Sequence, residues 1–276
     1  MPLTELVNTL NAQHSRSRHT VAGYERGLDH PFVSHEGRVF MHYAGIRLES
    51  KFLPIVEARS GKFHGHASSI QAFGLSNNIP MTPEAVFVLP TDNVEFIQLD
   101  RLVRTLHALN YLTSPRRGNL LLRVHPRHIL SVPANHGLAF EEILRPCGLF
   151  PEQITLEIDT DGVEDTAHFT RAIASYRSRG YHIAVCQFGR TRLDFEFLEA
   201  LRPDIVKLAP SLIASSRPID PIIEGIHRLG GKVLIEGLDA GQLRQAAAPL
   251  EIDLLQAHNL DARAIQSAKD ELRNAA

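Results

Sequence analysis

From Lys51 onward, short apolar runs alternate with segments whose apolar residues recur every three or four positions. The runs predicted as strands are Phe52–Val56, Lys62–Ser69, Leu120–Val124, Ile154–Ile158, His182–Phe188, Ile205–Leu208, Val233–Ile235 and Ile252–Leu255. They are rich in Val, Ile and Leu, the composition of parallel strands buried on both faces. Between them, Phe96, Leu99, Val103 and Leu106 share one helical face. So do Phe197, Leu198 and Leu201, then Ile222, Ile223, Ile226 and Leu229, then Leu243, Ala246 and Ala247. Gly180 and Gly230 stand where two of these helices should stop.

Eight strands alternating with helices predict an α/β fold of the (β/α)8, TIM-like barrel kind, with a doubly wound open sheet as the alternative. The link around Ser60-Gly61 is too short for a helical crossover. The first two strands should therefore be antiparallel. Ahead of the barrel, Leu3, Leu6, Val7 and Leu10 have helical spacing, and Arg38–Tyr43 reads as a short strand. The organisation expected is an N-terminal extension over 1–45, a barrel domain over 46–265 and a tail over 266–276.

Composition narrows the function classes. The chain has 276 residues, 43 % hydrophobic and 22 % charged, with a formal net charge of -2. That near-neutral balance offers no global attraction for nucleic acid or an anionic membrane. No apolar run approaches the roughly 20 residues of a membrane span. The first twenty residues are polar, and the two cysteines, Cys147 and Cys186, lie far apart. A reducing, cytoplasmic location is expected. The 15 histidines are scattered, and the close pairs lack the i, i+4 spacing of a helical zinc site.

In such a barrel the chemistry sits at the carboxyl ends of the strands. Those ends carry Glu157 and Asp159, Lys207, Glu236, and Gln256. Charges embedded in apolar strands are costly unless paired or functional, so a substrate site and a buried ion-pair network are both compatible with the pattern.

At these same positions the sequence resembles the EAL domain family, whose active members hydrolyse cyclic di-GMP with two Mg²⁺ or Mn²⁺ ions. The resemblance runs from about Lys51 to Ala262. Phe52–Glu57 with Ser60-Gly61 and Gly65 resembles the family's opening segment. Leu156-Glu157-Ile158, Gly180 through Phe188-Gly189, Asp204–Leu208, Glu236-Gly237-Leu238 and Gln256-Ala257-His258 follow in the family's order.

The departures carry the functional expectation. By this resemblance the metal-binding glutamate of the signature motif is Ala67, and its ligand-binding arginine is Gln71. The metal-binding asparagine is Arg123. The paired aspartates are Cys186 and Gln187. Two further glutamates are Thr160 and Asp239. Glu157, Lys207, Glu236 and Gln256 are retained. Mg²⁺ needs near-octahedral oxygen coordination, so the resemblance implies a lost metal site, no metal cofactor and no hydrolysis.

Three readings follow: a regulatory module acting on a protein partner, such as a transcriptional or flagellar regulator; a metal-independent cyclic-di-GMP receptor using Gln71, Arg123, His125, Lys207 and Gln256; and a working phosphodiesterase. A homodimer is compatible with each. The stretch Arg190–Leu201 corresponds to where the family commonly dimerises. Burial against the barrel is the simpler role for its Phe197 and Leu198. Arg123, next to Glu157 at the rim, is expected to pair with it. Cys186 is expected to act as a small buried hydrophobe.

Overall fold

The structure, a computed structural model, describes residues 2–18, 30–114, 118–214, 218–238 and 251–257. The chain divides into two compact units, one of Met1–Lys51, Ser68–Arg117 and Gly137–Phe150, the other of Phe52–Ala67, Gly118–His136 and Pro151–Ala276.

The first unit opens with α1 (Leu3–Arg18), β1 (Phe32–His35) and β2 (Arg38–Tyr43), followed by the first half of β3 (Ile46–Glu57). These strands form an antiparallel meander, Phe32 opposite Met41 and Met41 opposite Leu48. The second half of β4 (Phe63–Gly74) pairs with the two-residue β5 (Pro80–Met81). Then come α2 (Pro83–Phe87) and α3 (Asn93–Tyr111), with α5 (Leu138–Leu144) later in the chain. Asp92 caps α3, its side chain accepting from the Glu95 N–H at 2.8 Å, which satisfies one of the helix's orphan donors. Asn110 extends α3's reach into the meander. Its amide accepts from the Val39 N–H and donates to the Val39 carbonyl, mimicking a neighbouring strand. Within the helix layer, the buried Arg104 pairs with Asp100 at 2.9 Å and lies over the Phe140 ring of α5.

The second unit is a closed barrel. Its strands are the second half of β3, the first half of β4, then β6 (Asn119–Val124), β7 (Ile154–Asp159), β8 (His182–Phe188), β9 (Ile205–Leu208), β10 (Lys232–Leu238) and β11 (Leu254–Ala257). Each pairs with the next in parallel from β4 to β11. β11 then meets β3 antiparallel, and β3 pairs with β4 to close the ring. The tight link between them is held by Glu57 and Lys62, with Gly61 at φ 63°. All eight sequence-predicted strands are present. β3 and β4 run longer than predicted, each continuing out of the barrel into the first unit.

The helices that follow the strands are α4 (Pro126–Ser131), α6 (Thr166–Ser178), α7 (Phe195–Leu201), α8 (Pro210–Ile213) and α9 (Asp220–Arg228). Their periodic residues are buried as the 3.6-residue pattern requires: Phe169 and Ile173 of α6, Phe197, Leu198 and Leu201 of α7, Ile222, Ile223 and Ile226 of α9. Gly180 and Gly230 follow the ends of α6 and α9 at positive φ, the left-handed stop that glycine adopts without a Cβ clash. The helical pattern of Leu243, Ala246 and Ala247 lies outside the described residues, as does 266–276.

Candidate functional site

The barrel interior is filled by a layer that includes Ile55, Ala67, Leu121, Ala184, Ile205, Leu234 and Leu254. Side chains two positions apart on a strand share a face. Arg123, Cys186, Lys207, Glu236 and Gln256 each lie two residues beyond a member of that layer. They form the next tier toward the carboxyl ends. β7 contributes Glu157, in register with Arg123 on one side and Ala184 on the other. Ala67 belongs to the apolar layer and is 3 % exposed, so its position contributes packing and no ligand atom.

Lys207 is the centre of the tier. Its Nζ lies 2.7 Å from Glu157 Oε2 and 2.7 Å from Glu236 Oε2, and the residue is 2 % exposed. Burial alone would lower its pKa. The two carboxylates overcome that and hold it above the usual lysine value, so the ammonium stays charged. Glu236 accepts two more hydrogen bonds, from Gln187 Nε2 and Gln256 Nε2, each at 3.2 Å. The Gln256 side-chain carbonyl is buried with no hydrogen-bond partner among the described residues. Swapping its amide would set that oxygen against Glu236, so the observed orientation is the one the neighbouring charge selects.

Gln187 reaches the tier through a local irregularity. It sits at φ 56°, where the β8–β9 register shifts between Val185 and Phe188. A bulge of this kind re-aims one side chain and lets both Cys186 and Gln187 address the barrel end. Sequence alternation alone would have turned Gln187 away. Burial pushes the Cys186 thiol well above its usual pKa, and Glu157 pushes it further, so it stays a neutral thiol.

A second cluster borders the first. Asp159, at the end of β7, receives Arg190 at 3.0 and 3.3 Å; Arg190 also donates to Asp161 at 2.8 Å. Thr191 donates to Asp161, and the Asp161 N–H donates to Asp159. This clasp ties the loop after β8 to the loop after β7. Arg190 was not singled out from the sequence, although its place directly after Phe188-Gly189 puts it at a strand's carboxyl end. Thr160 and Asp161 face a shallow cleft with Phe188, Gly189, Arg192, Asp194 and Phe197.

One expectation is corrected here. Arg123 lies beside Glu157 in register, but its guanidinium goes to Asp159, at a loose 3.8 Å and 56 % exposed. Lys207 takes Glu157 together with Glu236 because a buried ammonium cannot turn to water, whereas Arg123 reaches solvent. His125, offered as a ligand contact, has its Nδ1 engaged by the Arg127 N–H at the start of α4. Gln71 is exposed on the part of β4 belonging to the first unit. Asp239 lies outside the described residues.

Every described carboxylate of the tier is thus engaged by a cation or amide. Among the described residues, no three His, Cys, Asp or Glu side chains come together as a metal-holding group. No described helix is long and apolar enough to cross a membrane.

Comparison with solved structures gives the barrel its relatives. A Klebsiella pneumoniae protein in complex with manganese and cyclic di-GMP matches with TM-score 0.63 at 17 % identity, over 76 % of this chain and 54 % of that one. The chain therefore spans about half that protein's length. A standalone EAL protein from Vibrio cholerae, in its cyclic-di-GMP-bound form, matches with TM-score 0.64 at 21 % identity, over 76 % of this chain and 90 % of that one. The Bacillus subtilis YkuI protein, with an EAL domain and in complex with cyclic di-GMP and calcium, matches with TM-score 0.68 at 18 % identity, over 82 % of this chain and 60 % of that one. At these identities the likeness is one of fold. The EAL domain family model itself matches residues 43–256, most of the chain and the barrel from β3 into β11, and the chain belongs to the EAL domain family.

Proposed function

We propose that this chain is a non-catalytic EAL protein of cyclic-di-GMP-related signalling that acts by contact with a protein partner, such as a transcriptional or flagellar regulator. The observation that carries the reading is Ala67, buried in the apolar layer of the barrel at the position that corresponds to the family's metal-binding glutamate. The Klebsiella and Bacillus relatives were captured with cyclic di-GMP together with manganese or calcium. The donor set of this chain fits a divalent pair poorly. The signature glutamate is replaced by Ala67, the asparagine by Arg123, and the paired aspartates by Cys186 and Gln187. Mg²⁺ and Mn²⁺ want several hard oxygens, and here an apolar methyl, a guanidinium, a protonated thiol and a neutral amide stand in their place. Without a bound ion there is no acidified water and no Lewis acid on the phosphoryl oxygens.

A phosphodiesterase assay on the full chain, with Mg²⁺ and with Mn²⁺, tests this directly. The expected result is no linear dinucleotide above the no-protein control. Metal-dependent product formation would sink the reading. A second reading, a metal-free cyclic-di-GMP receptor, is favoured by Arg123, whose exposed guanidinium is held only at 3.8 Å and is free to swing to a phosphate. Calorimetric titration with cyclic di-GMP in chelator decides between them: heat that disappears in Arg123→Ala supports the receptor, and no heat leaves the partner reading.

A further inference from the structure

Six of the ten large apolar side chains that stand exposed among the described residues fall in one stretch of the first unit. They are Leu75 (45 %), Ile79 (58 %), Met81 (37 %), Val88 (77 %), Leu89 (36 %) and Val94 (50 %). Single exposed apolar residues are ordinary on any surface; this density in twenty residues is not. The stretch is also built. The Leu75 N–H donates to the Gly45 carbonyl at 2.9 Å, Gly74 to Ile79 at 2.8 Å, and Arg47 to Asn78 Oδ1 at 2.8 Å. β5 pairs with β4 behind the turn, and the Asp92 cap fixes the start of α3. Ordered backbone presenting apolar side chains to water is a cost that folding alone gives no reason to bear.

Along the stretch itself the charge has one sign. From Ala67 to Asp100 the sequence contains no Lys, Arg or His, and four acids: Glu84, Asp92, Glu95 and Asp100. Asp100 is buried against Arg104, and Glu95 is bonded to Tyr43, but Glu84 and Asp92 face solvent. Arg47, a cation that reaches the stretch through Asn78, is itself tied to Glu49 at 2.9 Å. An apolar surface bordered by carboxylates repels anionic lipid, nucleic acid and a second copy of the same stretch. Its complement is a polypeptide that sets Leu or Ile beside Lys and Arg.

We infer that Leu75–Val94 is a docking surface for a basic, amphipathic segment of a protein partner. This rests on the partner-contact reading above and gives that contact a place and a chemistry. The test uses the full chain and two labelled helical peptides, one of leucine and lysine and one of leucine and glutamate, titrated by fluorescence anisotropy at low and high salt. The expected result is binding of the lysine peptide only, weakened by salt, and weakened at least tenfold in an Ile79→Ser, Val88→Ser, Val94→Ser triple variant. These side chains are exposed, so the variant is expected to fold, which circular dichroism checks. No binding, or equal binding to the variant, overturns the inference. So does self-association, seen by sedimentation, that the triple variant abolishes, because the occupant would then be a second copy. Turnover of cyclic di-GMP would defeat the non-catalytic reading while leaving these outcomes as they stand.

Discussion

At the scale of single residues, Lys207 has the most to lose. Its ammonium is shared by two carboxylates in a site it fills almost without solvent. Removing one partner of a buried charge group leaves the others uncompensated, at roughly 3–5 kcal/mol. Lys207→Met should therefore lower the melting temperature by several degrees. Adding Glu157→Gln and Glu236→Gln to it should restore much of the loss, because no orphaned charge remains. A triple variant no more stable than the single one would show that Lys207 acts through packing alone. The retained residues of this cluster were legible from the strand ends because charge inside an apolar strand is conspicuous. The clasp of Arg190 on Asp159 and Asp161 was not, since loop residues carry no periodicity to mark their direction. Arg123 shows the same limit on a strand: register sets its neighbour, but the length of the side chain lets solvent and Asp159 set its partner.

At the scale of elements, the barrel depends on seams where backbones approach closely. Gly65 pairs with Asn119 across β4 and β6, and a Cβ there would run into the Asn119 backbone, carbonyl oxygen first. A backbone obstacle does not rotate away, so Gly65→Ala should cost roughly 3 kcal/mol, as overpacking of a rigid site does. The urea midpoint should fall with the slope unchanged, and an unaltered midpoint would mean the seam is softer than its geometry implies. Strand existence was readable from apolar runs bounded by turn residues. The bulge in β8 was not, because a bulge is one residue of left-handed backbone, at Gln187, inside an otherwise regular run. That single residue decides which side chains reach Glu236. The full lengths of β3 and β4 were not legible either. Their outer halves, through Glu49, Ser50, Lys51 and Gln71, are polar or mixed, and they stay extended because they pair within the first unit.

At the scale of the whole molecule, eight strands were visible as a barrel because most of them are apolar and buried, but division into two compact units was not. The first unit is assembled from three separated stretches of chain, and local patterning carries no record of which stretches meet. Both units share an acid weakness. His107, in the first, is buried on α3 with its Nδ1 2.9 Å from Ser50 Oγ, and burial lowers its pKa to about 3. His136, in the second, is packed against the rings of His168 and Tyr176, and burial, with His168 and His128 nearby, lowers its pKa to about 4. Both folded pKa values lie below the ordinary 6.5. The unfolded chain therefore binds protons that the folded chain refuses. Their contribution to stability is complete above pH 6.5 and is lost as pH falls, down to about 4 for His136 and about 3 for His107. Each group adds a slope of up to about 1.4 kcal/mol per pH unit in that window. Carboxylates titrate in the lower part of the same range, so the histidine share is read as a difference between variants. His107→Gln keeps a hydrogen-bonding amide for Ser50 and removes the titration. Urea unfolding at a series of pH values should show its stability declining less steeply than the parent's between pH 6.5 and 4, with the two curves converging in slope at neutral pH. Parallel curves across the acid range would mean that His107 takes up its proton without opening the fold.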